Sequence, residues 1–345
     1  MELCIISNGL RSPTGLSAAM SIANVLAGIS RISRTETIID KSFKPVSLGI
    51  AEYIGQSVPN TARFIDLLIP SIKEAIQVLI DHQALPEKLP LLLGLPRERP
   101  GLERTLESEL ALALSHLESQ VGIGILPEFI RRDHDAGMVG FIKAEEICQS
   151  NPNDFVLVAG IDSFVSEETI AWLEQSQQLN CTGNKFGFTP GEAAACCLVC
   201  AEATAHKLQL PIRAKIVHST TALEPTFFDD SSINAGRGLS EAMTTVLESL
   251  PDDEQIQEIV CTLKGQRSEA QEFGMSTMGI GKRLSKPGEY VSLNSRWGDI
   301  GAASGPALVC YVMEKKALEF EEAGYSLIFT IPPGGYRSAA LIQTL

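Results

Sequence analysis

The chain is short of positive charge. Its 345 residues carry 28 Lys and Arg against 42 Asp and Glu, a net charge of −14. Phosphate backbones and anionic headgroups repel such a surface, which argues against non-specific binding to DNA, RNA or membranes. Arg97, Arg99, Arg104, Arg131 and Arg132 lie near enough in sequence to cluster, although scattered surface positions are the simpler expectation. Long apolar runs are missing too. Runs such as 155–161 and 193–201 fall far below the ~20 residues needed to cross a bilayer. No basic stretch precedes Cys4-Ile5-Ile6, so the start reads as a strand and a cytoplasmic location is expected.

Cysteines are present, but little of their chemistry is. Cys4, Cys148, Cys181, Cys196, Cys197, Cys200, Cys261 and Cys310 mostly sit inside apolar runs, as small buried hydrophobes of a reducing compartment do. Cys197-Leu198-Val199-Cys200 has CxxC spacing. Residues three apart on a strand point to opposite faces, and there is no second pair, so neither zinc nor redox work is expected there. His82, His116, His134, His206 and His218 show no ligand spacing, and no metal or cofactor is expected. Gly279-Ile280-Gly281-Lys282-Arg283 fails as a phosphate loop, because Ser276 and Arg283 stand where glycine and a hydroxyl belong. No GxSxG elbow occurs.

What is there reads as an α/β protein. Apolar runs alternate with amphipathic stretches at ordinary globular composition, 44% apolar and 20% charged. The first series has strands over 3–7, 89–95, 121–126, 155–161 and 193–200, with helices over 17–27, 62–81, 102–118, 137–148 and 167–174. The second has strands over 212–218, 258–263, 290–294, 327–331 and 339–343, with helices over 239–250, 268–273 and 303–320. Each series reduces to βαβαβαββ, which divides the chain into halves 1–207 and 208–345.

One corner stands out. Arg132-Asp133-His134-Asp135-Ala136-Gly137 leads from a strand into a helix, a geometry that aims a side chain and free N–H groups at one point. Nucleophilic cysteines use such corners, since a helix N-terminus lowers a thiol's pKa. Here a histidine stands between two aspartates. The matching helix of the second half follows Gly301-Ala302-Ala303-Ser304-Gly305, and both openings should face a common centre.

Four segments in order carry a resemblance to β-ketoacyl-ACP synthases of the thiolase fold. Val158-Ala159-Gly160-Ile161-Asp162-Ser163 matches their VAGGxES strand end. Phe186-Gly187-Phe188-Thr189-Pro190-Gly191-Glu192-Ala193-Ala194 resembles GFxxGEGA. Gly298-Asp299-Ile300-Gly301-Ala302-Ala303-Ser304-Gly305 is similar to GHxxGAAG, one residue short. Pro332-Pro333-Gly334-Gly335 with the apolar run after it resembles the GFGGTN turn. The resemblance implies duplicated halves layered α/β/α/β/α.

It also implies an active site formed by a cysteine, two histidines and a lysine. On that pattern the nucleophile falls at His134, the first histidine at Thr262 or Leu263, the second at Asp299 or Gly298, and the lysine at Asn294. The gating phenylalanine is replaced at Pro332-Pro333, where fixed φ makes a stiff turn. Condensation by the family route is therefore not expected. One reading is a non-catalytic chain that binds protein or an acyl or pantetheine group, as a homodimer or beside a synthase subunit in the manner of chain-length factors. The other is an acyltransferase or hydrolase of altered mechanism using His134 with Asp133 or Asp135, with Cys261 near the same cavity. In the plainer version of the site, Asp133 or Asp135 caps the helix and His134 fills a former pocket.

Overall fold

The computed structural model describes residues 2–55, 58–225, 235–319 and 322–345. The first series runs β1 (Leu3–Arg11), α1 (Ala18–Leu26), β2 (Ile32–Ile39), β3 (Pro45–Gly49), α2 (Asn60–Asp81), β4 (Lys88–Leu95), α3 (Leu106–Val121), β5 (Gly124–Arg131), α4 (Ala136–Ser150), β6 (Phe155–Ser163), α5 (Glu167–Gln175) and β7 (Glu192–Cys200). After α6 (Glu202–Lys207) come β8 (Ala214–Leu223), α7 (Arg237–Leu247), β9 (Ile256–Cys261), α8 (Arg267–Met278) and β10 (Val291–Ser292). The chain then forms α9 (Asn294–Trp297), α10 (Ser304–Glu319), β11 (Gly324–Thr330) and β12 (Tyr336–Thr344).

Among the described residues ten strands join in the order β10-β9-β11-β12-β8-β1-β7-β6-β4-β5, while β2 and β3 form a separate hairpin. The seam is β1 against β8, antiparallel from Leu3–Ile216 to Ile5–Ala214. Outward from it, β1-β7-β6-β4-β5 is mirrored by β8-β12-β11-β9-β10, so the duplicated topology is real. Helices α4 and α10 each pack on strands from both sides of the seam. Every residue of α10 over 304–314 is buried, as a helix enclosed on all sides requires. Helices α2 and α3 cover the outer face of one half, α7 and α8 that of the other. The result is the thiolase-like α/β/α/β/α layering.

Central strands β6 and β7 are buried along their whole length, which their unbroken apolar runs dictate. Cys197 faces the inner core around α4 and α10, and Cys200 faces the outer core under α2, so the CxxC thiols do point apart.

Two sequence expectations need correction, and one hairpin is additional to them. The strand placed at 121–126 begins later, because α3 keeps Val121 and ends at Gly122 in the left-handed region (φ 73°). Strand β5 then runs to the corner itself, and Pro127 inside it is tolerated on an edge strand. The strand at 290–294 shrinks to Val291–Ser292, since Asn294 opens α9. The β2–β3 hairpin was not anticipated, although its run of Ile and Thr residues is a strand signal.

Candidate functional site

Strand β5 ends at Arg131, and Asp133–Asp135 form a single 3-10 turn before α4. Asp133 sits in the left-handed region (φ 56°), and its Oδ1 accepts the Arg97 N–H at 2.8 Å. Asp135 is fully buried, its Oδ2 accepting from Arg132 Nη2 at 2.7 Å and Nε at 3.0 Å. Neither side chain caps α4, contrary to expectation. The Arg132 guanidinium supplies Asp135 with charge-assisted donors, while Asp133 is turned toward Arg97, whose Nε lies 3.4 Å from its Oδ2.

The turn sends His134 inward, where it is 3% exposed. Its Nε2 lies 2.6 Å from Asp299 Oδ1, while its Nδ1 has no hydrogen-bond partner among the described residues. Asp299 comes from the opposite opening, the turn ahead of α10, and its Oδ1 also accepts the Gly301 N–H at 3.0 Å. The two helix openings do face one centre, where an added Cβ on Gly137 would lie 2.2 Å from Pro306 Cδ.

The ion pairs continue past Asp299. Its Oδ2 lies 3.7 Å from Lys264 Nζ, and Lys264 Nζ donates to Glu269 Oε1 at 3.1 Å. The Lys264 N–H donates to Glu269 Oε2 at 2.7 Å, and the Phe188 ring covers the ammonium at 5.7 Å. A buried chain His134–Asp299–Lys264–Glu269 thus ties the turn before α4, the turn before α10, the loop after β9 and helix α8. Burial alone would raise the Asp299 carboxyl, but His134, Lys264 and the Gly301 N–H outweigh it and hold the group below the usual carboxylate range. Burial likewise opposes the Lys264 charge, yet Glu269 and Asp299 more than offset it and raise the ammonium's pKa.

Other candidates fall elsewhere. Thr262 Oγ1 accepts the Ile331 N–H at 3.4 Å, which joins β9 to the end of β11. Asn294 Nδ2 donates to the Thr262 carbonyl at 2.8 Å, so the position expected for a lysine has a structural amide. Cys261, expected near the same cavity, packs in the outer core with Leu239 and Phe273, where burial pushes its thiol well up and Glu269 adds to the effect. The lysine of the site is Lys264, which sequence reasoning missed. Its signal was a lone charge and a glycine ending the run Ile259-Val260-Cys261-Thr262-Leu263.

Arg104 is exposed, as expected of surface charge, but Arg99 and Arg132 are built into the site's surroundings. Arg99 Nη2 lies 2.5 Å from Asp162 Oδ1 with both side chains buried, and Asp162 Oδ2 accepts the Ala302 N–H at 3.1 Å. Arg132 stacks 3.8 Å above the Tyr336 ring, and Arg97 closes on Gly334 so tightly that an added Cβ would sit 2.6 Å from Nη1. The Pro332-Pro333 turn is thereby pinned beside the corner, with the Pro332 carbonyl accepting from Arg337 Nη1 at 3.2 Å. A cavity of about 380 Å³ opens along the edge of β9, lined by Glu258, Lys286, Tyr290 and Lys315 among others, and His134 is not in its wall. Among the described residues no group of three or more His, Cys, Asp or Glu is placed to hold a metal ion.

Solved structures place the fold. The whole chain superposes on 72% of a ketosynthase from module 6 of the bacillaene synthase of Bacillus subtilis 168, with a TM-score of 0.80 at 15% identity. It covers 99% of a chain from a type II PKS acyl-carrier protein in complex with its ketosynthase bound to the hexaketide, with a TM-score of 0.80 at 12% identity. It also covers all of a chain from the ishigamide ketosynthase/chain length factor, with a TM-score of 0.70 at 15% identity. No family model and no curated protein matches the sequence. The chain therefore has the ketosynthase form of the thiolase-like fold, and likeness at this identity speaks for the fold alone.

Proposed function

We propose that this ketosynthase-fold chain is non-catalytic and acts by binding, with a protein as its first partner and an acyl or pantetheine group as the second. One observation carries the reading. The place where two helix openings converge is filled by His134–Asp299–Lys264–Glu269, four side chains paired with one another and with no thiol among them. Condensation needs a nucleophile that is also a leaving group, together with donors free to hold a developing oxyanion. Here Asp299 supplies an anion where a donor belongs, and Lys264 is spent on carboxylates.

Self-association fits the same reading. Among the described residues strand β5 ends the sheet with one edge unpaired, and Leu126 on it is 50% exposed. Two such edges meeting across a two-fold axis would extend the sheet through a homodimer, and a synthase subunit of similar fold would fit there equally.

The altered-enzyme reading keeps one supporting observation. His134 is oriented by a carboxylate and has a ring nitrogen without a partner, the form of a general base. Thiol release from acetyl-CoA and longer acyl-CoA donors separates the two. Binding alone predicts release at the blank rate. Release above blank that vanishes in His134→Ala would instead establish the enzyme.

A further inference from the structure

Among the described residues the two most exposed aromatic rings stand on adjoining turns. Phe43, 81% exposed, tips the β2–β3 hairpin, and Phe186, 76% exposed, lies in the loop between α5 and β7. Both turns are built to hold their rings outward. Phe43 takes a left-handed φ of 59°, which a bulky side chain adopts only when its surroundings enforce it. The enforcement comes from Asp40, whose Oδ1 accepts the Ser42 and Lys44 N–H groups, each at 2.9 Å. In the second turn Asn184 Oδ1 accepts the Phe186 N–H at 3.0 Å, and its Nδ2 donates to the Gln177 carbonyl at 2.7 Å. Asp40 Oδ2 accepts the Thr182 N–H at 3.0 Å and locks the turns together.

The charge around them runs against the rest of the chain. Lys41, Lys44 and Lys185 are exposed and flank the two rings in sequence. Two carboxylates lie among them, Asp40 beneath its turn and Glu174, which accepts the Lys41 N–H at 2.9 Å, so three cations outweigh two anions. Charges farther away than about 8 Å are screened at physiological salt, so the net −14 does not cancel this patch.

We propose that this pair of turns docks the protein on an anionic lipid surface. The phenylalanines enter the headgroup boundary, and the lysines lie over lipid phosphates. A lipid occupant fits better than a protein one because each ring is more than three-quarters exposed. A protein anchor needs a recess shaped to it, whereas a fluid interface accepts an isolated ring. The hydrogen-bonded turns lose little freedom on insertion. The acidic remainder of the surface is repelled, which fixes the orientation with the turns facing the bilayer. The attachment is weak and reversible, of the order that one acyl chain confers. It does not depend on the reading of the His134 site.

Co-sedimentation of the full chain with vesicles tests this. Vesicles of phosphatidylcholine with about a third phosphatidylserine should bind it at low salt, pure phosphatidylcholine should not, and added salt should release it. Phe43→Ser with Phe186→Ser should weaken binding at least about tenfold, and each Lys→Gln change at 41, 44 or 185 about fivefold. Phe43→Trp, which keeps the ring, should show blue-shifted emission over the wild-type signal when acidic vesicles are added. Failure to bind acidic vesicles would overturn the proposal and turn the patch over to a protein partner. Unchanged binding by the double serine variant, or a Phe43→Trp emission that stays put, would overturn it equally.

Discussion

At the residue scale the least expected feature is Lys264, a full charge 3% exposed between two carboxylates. Removing one member of a buried ionic chain leaves its partner charged without compensation, which costs about 3–5 kcal/mol. Lys264→Met should therefore lose about that much stability in urea titration, and adding Asp299→Asn and Glu269→Gln should recover part of it. The pH dependence follows from the direction of the Asp299 shift. Its folded pKa lies below the unfolded value of about 3.9, so its stabilisation is complete above that pH and fades as acid approaches the lower folded value. Lys264, with its pKa raised, acts in the opposite sense and loses its contribution only in strong alkali. The stability gap between wild type and Asp299→Asn should accordingly be flat near neutrality and close as the pH falls below about 4. His134 and Asp299 were legible because motif order located them. Lys264 was not, since its pairing with Asp299 spans a separation that no local pattern encodes.

At the element scale the site depends on how closely two helix openings can approach the sheet. Gly301 has φ 49°, and an added Cβ would lie 1.9 Å from Asp162 Oδ2. Gly160 on β6 would meet the Ala302 carbonyl at 2.2 Å. Gly160→Ala should thus push the turn before α10 off the sheet and cost about 1–3 kcal/mol, read as a lower urea midpoint. Elements with long, continuous apolar runs, such as β6, β7 and α10, could be read from the sequence because burial on every side leaves no other pattern. Strand β5 was misplaced because an edge strand carrying Pro127 and Glu128 looks like a turn. The short β10 leaves almost no periodicity to read.

At the scale of the whole molecule, the duplicated layering was legible from the alternation of elements and four short motifs, and the ketosynthase fold bears it out. How the layers meet was less so, because contacts between distant turns settle it. The free edge of β5 gives an assembly prediction. On the proposed homodimer, Leu126→Arg should yield a monomer in sedimentation velocity where the wild type sediments as a dimer, without a lower melting temperature, and an unchanged mass would rule out pairing through β5. On the proposed function, the place where the two helix openings converge is filled and holds no acceptor for an acyl group. Intact-mass spectrometry of the native chain after incubation with acyl-CoA and acyl-carrier donors addresses this most directly. An unmodified mass is expected with every donor, whereas a stable acyl adduct on the folded protein would contradict the proposed function.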